Sequence, residues 1–194
     1  LRKQIGEQLV GEVMRELPAL KLDQAVFMVH HVINEETPNE GGIDQIDFWV
    51  QTNPGSKAGP MVKVASGGEL SRFLLALKVA LADKGSAPTL VFDEIDTGVG
   101  GAVADAIGRR LAKLSSKVQV LSVTHAPQVA ARAINHFVIA KKKVDADIDG
   151  RLATGIRAIN RDERREEIAR MLAGASVTDE ARAAAEQLIN QSAA

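Results

Sequence analysis

The sequence has no cysteine and no tyrosine, and aromatic residues make up only 3% of its 194 residues. The absence of cysteine excludes disulfide bonds, thiolate zinc sites and thiol nucleophiles. It also fits a reducing compartment, so we expect a cytoplasmic protein. The scarcity of aromatic rings argues against a platform on which nucleic-acid bases stack.

Long hydrophobic runs and an excess of charge of either sign are also lacking. No apolar run approaches the roughly 18 residues that a membrane-spanning helix needs, so we expect no membrane partner. The formal net charge is −1, which gives no global attraction to nucleic acid, so any contact with DNA must be local. Because the sequence begins with Leu1 rather than methionine, we expect a fragment or a processed product.

The chain does contain enough apolar residues, 45% of the total, for a folded domain. In residues 1–17 apolar side chains recur at every fourth position, which predicts an amphipathic helix that Pro18 ends. Residues 24–33 and 43–51 predict two strands of a hairpin. His30 and His31 are neighbours on the first strand and must point to opposite faces, so we do not expect them to share a metal.

A serine and two glycines stand before the next predicted helix. Ser66 and Glu69 have the spacing of a capping box, in which each side chain satisfies a backbone group at the helix start. This structural interpretation leaves Gly67 and Gly68 unexplained, since each weakens a helix by up to about 1 kcal/mol relative to alanine. Glycines at this position let backbone N–H groups approach an anion, so the alternative prediction is a phosphate site.

A short apolar run, residues 89–92, ends in two adjacent carboxylates, Asp93 and Glu94. The run predicts a buried strand, and ligands of open α/β sheets collect beyond the carboxyl ends of such strands. We therefore expect a metal and a base at this position. An ordinary pair of acids at a strand end is the alternative.

A predicted helix over residues 102–114 and a strand over residues 118–123 follow. A strand–helix–strand unit of this length is expected to be parallel and right-handed. That arrangement would bring His125, just after the second strand, to the sheet edge that carries the two acids. A structural role for a single histidine at a strand end is the alternative.

The remaining sequence predicts a short helix from Pro127, a second hairpin and two final helices. The hairpin strands are expected at residues 136–140 and 152–159. Asn160 with Glu163 has the spacing of a capping box for the first of the final helices, and Gly174 is expected to end it.

With these residues laid out, the sequence resembles the ATPase head of ABC-type proteins. Within that superfamily it resembles the carboxyl-terminal part of the RecN family, which are SMC-like bacterial DNA repair proteins. Four segments carry the resemblance: VASGGELSR at 64–72, VFDEIDTGVGG at 91–101, VTHAPQVAA at 123–131 and RREEIARML at 164–172. In that family the first is the ABC signature motif, the second joins the Walker B strand to the D-loop, and the third carries the switch histidine.

The resemblance implies an α/β fold, the C-terminal lobe of an ABC-type P-loop ATPase head. This lobe would comprise residues 18–194, with a mainly parallel sheet flanked by helices and a peripheral antiparallel hairpin. Residues 1–17 would be the remaining end of a coiled-coil helix.

The resemblance also implies roles for individual residues around ATP. Asp93 would hold Mg²⁺, largely through water, Glu94 would act on the attacking water, and His125 would contact the γ-phosphate. The signature residues would face the γ-phosphate of ATP held by a second head: Ser66, Gly67, Gly68 and Glu69. Asp96 and Gly98 would lie in the D-loop between the two heads.

The Walker A sequence and the Gln-loop of the family are absent from these residues. In the family both lie in an amino-terminal segment, beyond a long coiled coil. The resemblance therefore implies that the chain does not hydrolyse ATP alone. Its expected partners are that segment, a second head in an ATP-dependent homodimer, and DNA, and its expected location is the nucleoid.

Two other functions remain open at this point. The chain could be a non-catalytic module that bridges DNA or a partner, which basic clusters at residues 109–110, 141–143 and 164–165 favour. It could also be the head of another SMC-like or RecF-like ATPase.

Overall fold

The computed structural model describes residues 1–36, 40, 42–84, 87–143, 152–174 and 176–192. Its helices are α1 (Arg2–Glu16), α2 (Met61–Val64), α3 (Gly67–Ala80), α4 (Gly101–Ser115), α5 (Pro127–Ala130), α6 (Arg161–Ala173) and α7 (Asp179–Ser192). Its strands are β1 (Val26–Ile33), β2 (Asp44–Gln51), β3 (Gly59–Pro60), β4 (Thr89–Asp93), β5 (Gln119–Val123), β6 (Phe137–Lys143) and β7 (Leu152–Ala158). The chain divides into two compact units, which are residues 1–123 (unit 1) and 124–194 (unit 2).

The predicted amino-terminal helix is confirmed as α1, and its apolar stripe is buried only towards its carboxyl end. Val13 is fully buried, whereas Ile5, two turns earlier, is 53% exposed. An ion pair between Glu16 and Arg110 of α4 holds the buried end of α1 in unit 1. The helix gives way at Pro18 to a 3₁₀ turn, as expected for a residue that cannot continue the hydrogen-bond ladder.

The first predicted hairpin is confirmed. β1 and β2 pair antiparallel from Val26↔Gln51 to Ile33↔Asp44, and β3 adds to the other edge of β2. His30 stacks on the ring of Trp49 with centroids 4.7 Å apart, while His31 is bonded to Asp44. The two histidines therefore do point to opposite faces, as the strand period requires.

The predicted parallel pair is confirmed, but the prediction of a buried strand is wrong. β4 and β5 pair in parallel from Thr89↔Gln119 to Asp93↔Val123. Along this pair one face is open to solvent, with Val91 67% exposed and Leu121 and Val123 each 48% exposed. We call these three residues the open face. An apolar run predicts that a strand is covered, but unit 1 covers this strand on one side only.

The sheets are less parallel than predicted. Among the described residues only β4 and β5 run in parallel, and the other pairings are antiparallel. β6 pairs with β7 as the predicted second hairpin, from Phe137↔Ala158 to Lys143↔Leu152. The mixture of helices and sheets is nevertheless the α/β class that was expected.

The core of unit 1 lies between α1, the hairpin, α3 and α4. Its largest fully buried apolar side chains are Val13, Leu17, Leu20, Phe27, Val50, Phe73, Leu75, Ile95, Ile107 and Leu114. Deleting such side chains typically costs about 2–5 kcal/mol of stability.

Unit 2 has a separate small core where α5, α6 and α7 meet. Its buried members are Ala130, Ala131, Ile168, Ala169, Ala185 and Ile189. The predicted capping box of α6 is confirmed, since Asn160 accepts from the Glu163 backbone at 3.0 Å and Glu163 accepts from the Asn160 backbone at 3.0 Å. Gly174 ends α6 with φ +76°, a conformation that favours glycine.

None of the helices in the described ranges is both long and apolar enough to cross a membrane.

Candidate functional site

The signature segment forms the exposed start of α3. The Ser66 backbone N–H donates to the Glu69 carboxylate at 2.9 Å, and the Ser66 hydroxyl donates to the same oxygen at 2.7 Å. These bonds confirm the predicted capping box. The bond from the Ser66 hydroxyl, followed by the backbone bond, lowers the pKa of Glu69. Glu69 is therefore charged near neutral pH and holds Ser66 in place.

The two glycines of this segment have different surroundings. A side chain at Gly67, which is exposed, would meet nothing within 4 Å. A Cβ at Gly68 would lie 3.4 Å from Nη1 of Arg72 and 3.7 Å from the carbonyl oxygen of Thr97. A side chain at position 68 would thus make ordinary contacts, and the packing of unit 1 requires a glycine at neither position.

Arg72 is a member of this site that the sequence reasoning missed. Its guanidinium lies beside Gly68, one helical turn earlier, and burial lowers the pKa of Arg72 although a guanidinium stays charged in proteins. The i, i+4 spacing of Gly68 and Arg72 on a helix was the available signal. The start of α3 therefore combines the N–H groups of Gly67 and Gly68, which lack partners within the helix, with a nearby positive charge.

The two carboxylates after β4 are at the surface, and the backbone of Glu94 has an unusual conformation. Asp93 and Glu94 are both exposed. Glu94 has φ +46°, a left-handed conformation that costs a non-glycine residue roughly 1–2 kcal/mol. Its N–H donates to the Val123 carbonyl and its own carbonyl accepts from the Thr97 N–H, both at 3.1 Å. These bonds hold the strained turn that follows the strand, and such strain concentrates at functional sites.

The predicted D-loop residues Asp96 and Gly98 occupy the turn that follows. Asp96 is only 2% exposed, so its side chain lies inside unit 1. Gly98 is exposed and has φ +72°, which a glycine adopts without strain. Of the two residues, only Gly98 is available at the surface.

A groove of about 190 Å³ between α3 and β4 reaches Asp93. It is lined by Ser71, Leu74, Lys78, Ile95 and residues 90–93. Within the described part of the chain, no group of three or more histidine or acidic side chains is arranged to hold a metal. Mg²⁺ usually takes one or two carboxylates together with water and substrate phosphates. The single exposed Asp93 fits that donor set, whereas it would not fit a zinc or calcium site.

His125 belongs to unit 2 and lies two residues before α5. The backbone N–H of Ala126 donates to the hydroxyl of Thr124 at 3.0 Å, so a local hydrogen bond brackets His125. The predicted convergence of His125 with Asp93 and Glu94 stays a prediction.

A second histidine of unit 2, His136, is half-buried next to α6. Burial lowers the pKa of His136, and the positive charge of Arg164 lowers it further, although Glu167 acts in the opposite direction. The folded protein therefore binds a proton at His136 less readily than the unfolded chain does.

This difference predicts how stability changes with pH. As pH falls below the ordinary histidine pKa of about 6.5, the unfolded chain gains a proton at residue 136 before the folded chain does, so stability falls. We expect His136→Gln to reduce the loss in thermal midpoint between pH 7.5 and pH 5.5. The other three histidines are present in both proteins and cancel in the comparison. An equal loss in parent and variant would contradict this prediction.

Comparison with known proteins relates this chain to one family by sequence. No family model matches the chain. It is 44% identical over 186 residues to DNA repair protein RecN of Rickettsia conorii, covering 96% of this chain and 33% of the relative. It is 41% identical over 193 residues to RecN of Halalkalibacterium halodurans, covering 98% and 34%, and 39% identical over 205 residues to RecN of Bacillus subtilis, covering 98% and 35%. The chain spans about a third of the length of these curated relatives.

Solved structures relate the chain to SMC proteins by fold. An SMC head from Pyrococcus yayanosii matches with a TM-score of 0.59 and 17% identity, over 84% of this chain and 28% of that one. An SMC head from Pyrococcus furiosus, bound to the C-terminal domain of ScpA, matches with a TM-score of 0.55 and 16% identity, over 86% and 38%. By fold the chain resembles SMC head domains, and by sequence it is similar to the carboxyl-terminal third of DNA repair proteins named RecN.

Proposed function

We propose that this chain is the C-terminal lobe of an ATP-hydrolysing head in a protein of DNA double-strand-break repair and recombination, and that two such heads engage around ATP. The observation that carries the proposal is that unit 1 exposes two half-sites. One is the start of α3, where there is open space beside Gly67. The other is the carboxyl end of β4, where Asp93 is followed by Glu94 in a strained backbone conformation. Each half-site would be completed by other polypeptide.

In the proposed reaction, the acidic half-site acts on the ATP bound by its own head. Asp93 would hold Mg²⁺ through water, and the ion would neutralise charge on the phosphates. The Glu94 carboxylate would orient the attacking water and take its proton. His125 would donate a hydrogen bond to the γ-phosphate. The two hydrogen bonds to the Glu94 backbone fix the main chain from which this carboxylate extends.

The signature half-site acts on the ATP of the opposite head. The first N–H groups of α3 have no partners within the helix and lie at the positive end of its dipole, so they suit a phosphate. Glu69 holds Ser66 at the start of this helix, and the small Gly67 allows close approach. Gly98, which is exposed in the turn after β4, would face the same interface between the two heads.

The open face of β4 and β5 supports the proposed amino-terminal partner segment. Parallel strand pairs occur almost only with both faces covered, yet Val91, Leu121 and Val123 are exposed here. The relatives are about three times as long as this chain, so they contain additional polypeptide that could cover these residues. The exposed Ile5 end of α1 agrees with residues 1–17 being the end of a coiled coil.

Three of the seven basic residues that favour the alternative of a non-catalytic DNA-bridging module have partners within the protein. Arg109 pairs with Asp105 on α4, and Arg110 pairs with Glu16 at 2.7 Å. Arg164 donates to backbone carbonyls. These three cations have partners within the protein, although the Arg109 side chain is 64% exposed. DNA as a partner and a location at the nucleoid remain predictions from the resemblance.

Complementation tests the proposed function. The chain alone should not hydrolyse ATP above the level of its Glu94→Gln variant. Co-expression with an amino-terminal segment that carries a phosphate-binding loop should produce Mg²⁺-dependent hydrolysis, which chelation by EDTA removes. Glu94-dependent hydrolysis by the isolated chain, or none by a co-purified pair of segments, would refute the proposal.

A further inference from the structure

The segment at residues 164–172 is one of the four that carry the resemblance, but it has no role in the proposed reaction. Its first residue, Arg164, extends from α6 to the end of α5. Nη2 of Arg164 donates to the carbonyl of Ala131 at 2.6 Å and to that of Ala130 at 3.3 Å. This contact joins α6 to the short helix α5, which follows His125 in the sequence.

Helix α5 has only four residues and cannot be stable by itself, because nucleating a helix is costly. The last carbonyls of a helix lack partners within it, and a cation at that end is favourable. At the end of α5 the Ala130 carbonyl also accepts from the Ala133 N–H at 3.2 Å. Arg164 supplies both a donor and a cation. At the other end, the Ala126 N–H is held by Thr124. His125 therefore lies in a segment that is fixed on both sides.

Arg164 binds different partners from Arg161 and Arg170 on the same helix. Arg161 pairs with Glu186 and Arg170 pairs with Glu167. Arg164 forms no ion pair with a described carboxylate, and burial lowers the pKa of Arg164. A partly buried guanidinium that binds only backbone carbonyls is an expensive arrangement, which indicates that the position of those carbonyls matters.

We propose that Arg164 is a positioning residue for His125, which it holds in place by binding the carboxyl-terminal carbonyls of α5. This inference rests on the proposed role of His125 in ATP hydrolysis. Ala130 and Ala131 also pack in the core of unit 2 with Ile168 and Ala169 of α6, so the same helix that carries Arg164 supports the buried side of α5. Loss of the guanidinium should free the segment while leaving this apolar contact.

The first test measures ATP hydrolysis by the complete protein. Arg164→Met keeps the apolar stem of the side chain but removes its donors. We expect kcat to fall by about 10- to 100-fold, with KM for ATP nearly unchanged, because a small misplacement of a catalytic group can cost as much as 10². Arg164→Lys, which keeps a charge, should restore part of the loss. Arg161→Met is the matched control on the same helix and should change little, because its ion pair is exposed.

Two further measurements distinguish the possible outcomes. In a His125→Ala background, Arg164→Met should cause no additional loss of kcat if it acts through His125, whereas an additional loss would overturn the inference. Hydrogen exchange in residues 126–133 should become faster in Arg164→Met but not in Arg161→Met. Unchanged exchange would also overturn it. Faster exchange together with normal turnover of His125→Ala would instead refute the proposed role of His125, and would leave the anchoring of α5 intact.

Discussion

Replacing Glu94 by glutamine in the complete protein is expected to lower ATP turnover by about 10²–10⁴-fold, the usual contribution of a positioned general base. This corresponds to roughly 3–5 kcal/mol of the activation barrier. Glutamine has nearly the same size and can adopt the same backbone conformation, but it cannot accept the proton of the attacking water. ATP binding should therefore persist, and engagement of the heads should last longer because the step that ends it is slow.

Single-turnover kinetics with radiolabelled ATP would separate binding from chemistry in this variant. Glu12→Gln is a suitable control, since Glu12 is exposed on α1 and carries the same change of charge. Turnover by Glu94→Gln within a few-fold of the parent would exclude Glu94 as the base. A loss of ATP binding in place of turnover would assign it a structural role at the end of β4.

Helix boundaries and hairpins could be predicted from the sequence because their signals are local. The capping boxes of Ser66 with Glu69 and of Asn160 with Glu163 each join residues three positions apart, and both form as expected. The two hairpins likewise follow from apolar alternation around turn residues. These features depend on little beyond the segment itself.

Burial and fine geometry could not be predicted, because they depend on what packs against a segment. Val91 lies in an apolar run that predicts a covered strand, yet the residues that would cover it are not among those of unit 1. The left-handed backbone of Glu94 has no signal in the sequence, since glutamate rarely adopts it. The burial of Asp96 arises from the same turn. At these positions local preference and final structure disagree, as is common at functional sites.

The three residues expected to act together on ATP are divided between the two units of the chain. Asp93 and Glu94 belong to unit 1, and His125 is the second residue of unit 2. A short stretch of sequence connects β5 to His125, which made a common sheet edge a natural expectation. The chemistry assigned to these three residues therefore depends on experiments that couple them, such as the combined variants of Arg164 and His125.

Replacing Ser66 by arginine should abolish ATP-dependent engagement of two heads. The exposed start of α3 would acquire a long charged side chain where the γ-phosphate of the opposite head is proposed to bind. We expect the dimer population measured by light scattering with ATP to fall to the level seen without nucleotide. The Glu94→Gln background makes this measurement sharper, because engaged heads are expected to accumulate there. Ser116→Arg, at the exposed end of α4 in the same unit, is the matched control and should dimerise normally.

The result for Ser66→Arg has a second possible cause, because this variant also loses the helix cap, which costs about 0.5–2 kcal/mol of stability. Gly67→Ala resolves this ambiguity. A methyl group at position 67 meets nothing within 4 Å, so the variant should fold and should be more stable by up to about 1 kcal/mol. Engagement should nevertheless weaken, because the methyl group would stand between the helix start and the phosphate. If Gly67→Ala gained stability and kept full engagement, the open space beside Gly67 would have no function at the interface between heads.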